Sequence, residues 1–275
     1  MSYHDLPLLK PPVWTWEIPA YFFVGGTAGA AALIGAVARR SGGSEELVRD
    51  ARWIAAAGAA LSPPLLISDL GRPERFLNML RVFKVQSPMS VGVWTLVAFS
   101  TAAGAAAFAD LARRATGGRL PVTIIGDAAE MLSAATGMVL STYTGVLLGA
   151  TSIPVWSAHA RVLPIHFGAS GLGAAVSLLE LLGHRSRALN RIGIGAALAE
   201  SVLGITLERG LGERGPQMGP ESRQLSRAAA VLSGPVPLVL RLLAGRSSTA
   251  RRVAALSTLA GSVLTRVAWV KAGKE

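Results

Sequence analysis

Cysteine is missing from all 275 residues. Its absence excludes disulfides, thiolate-held iron–sulfur clusters and covalently attached haem, so cluster chemistry has to sit in a partner. Histidine is almost as scarce. Of His4, His159, His166 and His184, only His166 and His184 fall where a span could hold them. Roughly 18 residues of helix would separate those two by about 27 Å. One iron cannot be clamped across that distance, so no bis-histidine haem is expected and His166 reads as a polar wall residue. Charge is thin as well: Asp, Glu, Lys and Arg make up 16% of the chain, against roughly 25% in soluble domains.

What fills the chain instead is apolar. Hydrophobic residues reach 51%, glycine adds 31 residues, and the mean hydropathy is +0.45. Such a composition implies an all-α, polytopic transmembrane helix bundle in the lipid bilayer, with 1–275 as a single integral membrane domain. The net charge of +11 raises the question of nucleic acid. The Lys and Arg residues, however, stand in small groups at the ends of apolar runs rather than along a stripe, which suits membrane flanks and no nucleic acid. One Lys precedes a first apolar run of about 20 residues, too long for a signal-peptide core, so that run reads as a retained span.

The apolar runs predict about eight spans, near 18–38, 53–69, 89–109, 131–153, 162–183, 192–207, 228–243 and 253–270. Pro63 with Pro64, and the GPVP run at 234–237, predict kinks where carbonyls lose their donors. Lys and Arg are divided almost evenly between the two sets of loops. Discounting Arg72, Arg75, Arg81 and Lys84, which sit in one unusual loop, tilts the orientation toward both termini outside a cytoplasmic (inner) membrane. Gly25 with Gly29 and the GASGLGAA run from Gly168 suit close helix packing. No internal repeat is evident, which removes the main sequence sign of a transporter built from two related halves.

Polar residues in such a chain are the candidates for chemistry. Glu17 and Tyr21 lie four residues apart at the head of the first helix, on one face, and could share a ligand. Trp14, Trp16 and Tyr21 are equally the residue types of an interfacial belt. Asp69 ends the second span and Arg72 follows three residues later, close enough for an ion pair that fixes the loop, while Gly71 and Pro73 suit a sharp turn. Arg75, Arg81 and Lys84 then alternate with Phe76, Leu77, Leu80 and Val82 in an amphipathic stretch that could line an entrance or dock a partner. Tyr143 needs a partner for its hydroxyl inside the fourth span, and a backbone carbonyl would serve. Asp127 and Glu130 read as members of an interfacial helix. Glu180 lies in a span, and Glu200, placed mid-span, is a proton-path candidate.

Four segments, WEIPAYFFVGGTAG at 16–29, DLGRPERF at 69–76, SPMSVGVW at 87–94 and YTGVLLG at 143–149, followed by PVW at 154–156 and LP at 163–164, resemble the NrfD-like, polysulfide reductase membrane-subunit family. The resemblance covers roughly 1–170, leaving 171–275 as further transmembrane helices. It implies a quinone- or quinol-binding subunit of a respiratory oxidoreductase, with menaquinone or ubiquinone as substrate and no haem or metal of its own. Its partner would be a ferredoxin-like iron–sulfur subunit and, through it, a catalytic subunit of the molybdopterin type. It also implies a pocket where the first helix head, the DLGRP turn and the YTG tyrosine meet. Tyr21 and Tyr143 would then donate hydrogen bonds, Glu17 and Asp69 exchange protons, and Arg72 hold Asp69 ionised or fix the loop. Some members carry His where Tyr21 stands and an amide where Ile18 stands. The alternatives are a structural anchor without quinone chemistry, or a transporter or channel.

Overall fold

A computed structural model describes residues 12–116, 122–211, 218–243 and 247–275; His4 lies outside them. Among the described residues every regular element is helical: α1 (Glu17–Arg40), α2 (Glu45–Asp69), α3 (Glu74–Met79), α4 (Pro88–Ala115), α5 (Val122–Gly149), α6 (Pro154–Ser157), α7 (Leu163–Leu181), α8 (Arg187–Gly210), α9 (Pro220–Ser233), α10 (Pro235–Leu243) and α11 (Ser248–Ala272). Six passages, counting α9 and α10 as one, are long and apolar enough to cross a membrane. With α2 and α7, of 25 and 19 residues, the bundle has the eight passages that the apolar runs predict.

Local chemistry sets the helix starts. Ser44, Ser87, Ser186 and Ser247 precede α2, α4, α8 and α11, and their hydroxyls accept from the backbone N–H of Leu47, Ser90, Leu189 and Ala250. Each satisfies one of the donors that a helix start leaves open.

The two proline sites behave differently. At 234–237 the expected interruption is present: α9 stops at Ser233, Gly234 takes φ −103° and ψ −95°, and α10 begins at Pro235. At Pro63 and Pro64, by contrast, α2 runs through without a break. Pro63 cannot serve the carbonyl of Ala59, and the Ser100 hydroxyl from α4 donates to that oxygen instead, at 3.1 Å. A neighbouring helix thus supplies the missing donor, as membrane interiors require.

The eight passages pack as two rings of four. α1, α2, α4 and α5 close one ring; α7, α8, α9–α10 and α11 close the other in the same order. The main contacts between rings run α1 to α7, α5 to α7 and α1 to α11, with a minor one from α2 to α7, the pattern of an approximate twofold. This corrects the expectation of no repeat. Once the helices are paired in ring order, matching residues appear: Pro19, Phe22 and Gly26 with Pro164, Phe167 and Gly171; Arg52, Ser62, Asp69 and Gly71 with Arg191, Ser201, Glu208 and Gly210. Pro88 and Ser90 pair with Pro220 and Ser222, and Ser133, Gly137, Val139 and Leu140 with Ser257, Gly261, Val263 and Leu264. The register differs from helix to helix because the loops differ in length, and that hides the repeat from a fixed-period search.

Gly26 and Gly171, a matched pair, are where the two rings touch. A Cβ on Gly171 would stand 2.9 Å from the Gly26 carbonyl oxygen, so glycine lets α1 and α7 approach backbone to backbone. Four passages per ring send both rings through the bilayer in the same direction. A transporter can no longer be set aside for want of a repeat.

At the end away from the α1 head, each ring is tied by buried charge. Arg52 donates to Asp110 at 3.0 Å and to Glu130 at 2.5 Å, Arg39 reaches Glu130 at 2.9 Å and also Asp127, and Arg113 and Arg114 both bind Asp110 at 2.9 Å. In the second ring Arg241 meets Glu180 at 2.8 Å. Glu130 is therefore buried in an ionic cluster rather than lying on an interfacial helix.

Candidate functional site

The head of α1 is fixed by aromatic packing. Trp14 stacks on Trp156 with ring centroids 5.3 Å apart, and Trp156 Nε1 donates to the Trp269 carbonyl at 2.7 Å. Of the expected belt residues only Trp16 is well exposed; Tyr21 is 2% exposed and belongs to the core. Burial on this scale sets the direction of the α1 head, and with it the chemistry of the cavity beneath.

That cavity has a volume of about 70 Å³ and lies in the first ring, between α1, α2, α4 and α5. Tyr21, Asp69 and Tyr143, three of the sequence candidates from segments far apart in the chain, line it together. Among the described residues the Tyr21 hydroxyl makes no hydrogen bond. The Tyr143 hydroxyl donates across to the Pro88 carbonyl at 2.7 Å. Its proton is committed to α4 rather than free for a ligand, the backbone-carbonyl option that the sequence left open.

Asp69 sits in the same wall, and its Oδ1 accepts from the Thr15 backbone N–H at 3.0 Å and lies 3.1 Å from the Thr15 hydroxyl. The same hydroxyl hydrogen-bonds Glu17. One hydroxyl proton serves two carboxylates, so Glu17, Thr15 and Asp69 form a chain from the partly exposed α1 head to the cavity. Glu17 is not itself a wall residue.

Arg72 departs from expectation. Among the described residues it makes no ion pair with Asp69. Gly71 adopts φ +67°, a conformation glycine takes without strain, and Arg72, in the turn that leads to α3, is exposed. Thr15 takes the place on Asp69 that Arg72 was expected to hold. The loop beyond exposes Leu77 (66%), Val82 (59%), Phe83 (55%) and Val85 (70%) beside Arg75, Arg81 and Lys84.

Sequence reasoning missed Thr15, which binds Asp69, and Gly92, Met79 and Met89, which line the cavity. Gly92 lies on α4 against the Tyr143 ring, and any Cβ there would overlap the phenol. A glycine in the middle of an otherwise apolar helix start was the available signal. No group of three or more acidic or histidine side chains comes together to hold a metal among the described residues.

The polysulphide reductase NrfD family pattern matches residues 7–193, well over half of the chain. The chain belongs to that family of multi-pass membrane proteins. It is similar to the C subunit of polysulfide reductase from Wolinella succinogenes, at 29% identity over 195 residues. That match covers 62% of this protein and 58% of the relative, so the protein is matched over somewhat more than half of the relative's length.

Proposed function

We propose that this protein is the quinone-reactive membrane subunit of a respiratory oxidoreductase, and that the first-ring cavity is its quinone site. The observation that carries the reading is the free Tyr21 hydroxyl opening on the same small cavity as Asp69. Reducing a quinone adds two electrons and two protons. The Tyr21 O–H donates to one carbonyl oxygen, and Asp69 supplies or collects a proton. Glu17, through Thr15, exchanges that proton with the aqueous side. Tyr143, held by Pro88, positions the ring and lends its oxygen as an acceptor to the quinol O–H.

The cavity at rest has room for about two waters, less than a quinone ring needs. The Met79 and Met89 side chains, each with several rotatable bonds, are the wall elements that yield. Electrons come from an iron–sulfur partner docked over the 70–87 loop, whose exposed apolar residues, with Arg72, Arg75, Arg81 and Lys84 unpaired among the described residues, suit an acidic, partly apolar surface. Through that partner the protein serves a catalytic subunit, of the molybdopterin type by family resemblance. Both termini, and with them the cavity, face outside the cytoplasmic membrane. Single cysteines introduced at Ser41 and Lys274 of this cysteine-free chain test the orientation by maleimide labelling: only the cysteine at 274 reacts from outside.

The test of the site is Asp69→Asn in the assembled complex, with assembly checked by copurification of the partner. Quinone-coupled turnover falls about a hundredfold, the low end of what a positioned acid–base group contributes. Unchanged turnover would remove Asp69 from the mechanism and favour a structural anchor.

A further inference from the structure

The second ring holds a cavity where the first ring has its candidate quinone site. It has a volume of about 610 Å³ and is lined by His166, Ile205, Glu208, Arg209, Ser226 and Val231, among others. In the residue pairing that relates the rings, His166 stands where Tyr21 stands, Ile205 where Leu66 stands, Glu208 where Asp69 stands and Arg209 where Leu70 stands. Both cavities draw wall residues from the second and third passages of their ring. We propose that the second-ring cavity is a further binding site for a quinone-class lipid, one that holds the molecule without reducing it; this rests on the reading of the first cavity.

The difference in size follows from three replacements. Tyr143, which crosses the first cavity, corresponds to Val267, so no phenol fills the second. Trp94 and Phe99 on α4 correspond to Ser226 and Val231 on α9, and the smaller side chains leave the space open. A volume of about 610 Å³ falls within the range of roughly 300–1,000 Å³ in which small-molecule sites are found.

The polar group at the bottom points to the ligand. His166 is 4% exposed, forms part of the cavity wall, and its imidazole makes no hydrogen bond among the described residues. Its Nδ1 stands 3.6 Å from Glu200 Oε1, and both atoms are buried without a hydrogen-bond partner. The other Glu200 oxygen accepts from the Ser233 hydroxyl at 2.6 Å. A buried imidazole in an apolar cleft is left unsatisfied unless a ligand brings a hydrogen-bonding head to it. A quinone enters head first, with a carbonyl oxygen for the imidazole N–H and an isoprenoid tail left in the lipid. A phospholipid would enter the other way, with acyl chains against His166 and its phosphate at a rim where Glu208 is already bound to Arg223 and Arg227, at 3.2 Å and 2.5 Å.

The experiment uses the full-length protein with its partner in nanodiscs of phosphatidylethanolamine and phosphatidylglycerol, labelled with a photoreactive azido-naphthoquinone. Labelled peptides are mapped, and label displaced by excess unmodified naphthoquinone is scored. Wild-type protein labels both α1–α4 and α8–α9. His166→Phe weakens the α8–α9 label about tenfold, the cost of one lost hydrogen bond to a buried group, and leaves the α1–α4 label and turnover as they were. Ser226→Trp restores the bulk that Trp94 supplies in the first ring and removes the α8–α9 label without touching His166. Tyr21→Phe weakens only the α1–α4 label. Label confined to α1–α4, label at α8–α9 that neither variant changes, or a retained phospholipid that naphthoquinone does not displace each overturns the second site while sparing the first. Label confined to α8–α9 strikes the first site instead.

Discussion

The two four-helix rings share a frame and differ in what they put inside it. Glycines and serines at matched positions keep the frame: Gly26 meets Gly171 across the ring boundary, and Gly137 and Gly261 each take a neighbouring helix backbone at close range. Against that constancy, Tyr21 is exchanged for His166, Tyr143 for Val267 and Trp94 for Ser226, and the cavity volume changes from about 70 to about 610 Å³. A membrane bundle holds together by backbone approach and internal hydrogen bonds, so its framework residues are small and its large side chains are free to diverge. The lesson is that a cavity can be re-furnished without rebuilding the helices around it.

The comparison breaks most visibly at the charged end of each ring. Arg241→Ala strands Glu180, whereas Arg52→Ala takes one cation from Asp110 and one from Glu130 but leaves them Arg113, Arg114 and Arg39. The Arg241 change is expected to cost about 3–5 kcal/mol, the penalty of leaving a buried charge unpaired, and the Arg52 change about 1.5–3 kcal/mol, that of lost charge-assisted hydrogen bonds, both read as loss of monodisperse protein and a lower melting temperature in detergent. If only the Arg52 variant suffers, the second ring does not depend on its ionic tie as the first does. Next in size, Asp69→Asn lowers quinone-coupled turnover about a hundredfold, whereas Glu208→Gln at the matched position leaves it within about twofold. Equal losses would mean that the two acids act alike.

Gly92→Ala has a smaller effect and sharpens the same contrast. The added methyl displaces the Tyr143 ring from Pro88, with an overpacking cost of about 1–3 kcal/mol and a KM for quinone that rises about tenfold while the assembled complex persists. Gln224→Ala, at the equivalent place on α9, leaves both readouts unchanged. The smallest effect concerns Asp50, at the charged start of α2. Its carboxyl is held below the usual range, first by the hydrogen bond from Arg49 at 2.7 Å and further by His184 at 2.9 Å. A carboxylate with a depressed folded value adds stability that is present above about pH 4 and fades as pH falls through that folded value. Asp50→Asn therefore removes less than about 1 kcal/mol at neutral pH and flattens the acid limb of a thermal-stability profile. A steeper acid limb in the variant would reverse the sign.

The number of passages was legible because lipid demands about 20 apolar residues for each, and α1 at Glu17–Arg40 lies close to the expected 18–38. The polar ends were not legible from hydropathy. α2 begins at Glu45 rather than near 53, since EELVRDAR is helical under the Ser44 cap, and α9 begins at Pro220 although PESRQLSR is polar. The unbroken course of α2 through Pro63 also lay beyond local sequence, because the rescuing hydroxyl of Ser100 comes from another helix. At the candidate site the types were readable and the partners were not. Tyr21, Asp69 and Tyr143 stand out as polar groups in lipid, but Arg72, three residues from Asp69, is exposed and makes no ion pair with it among the described residues, while Thr15, far off in the chain, binds it.

By itself the sequence determined that this protein is a cysteine-free helical bundle in a membrane, with a handful of acids and phenols too costly in lipid to be idle, since composition and apolar run length fix the solvent of each helix. Tertiary structure decided which of those groups meet, that the eight passages form two related rings, and that the second ring carries an open cavity over His166. Those outcomes turn on contacts between residues dozens of positions apart, where a small side chain admits a neighbour and a large one excludes it, and no local pattern records them.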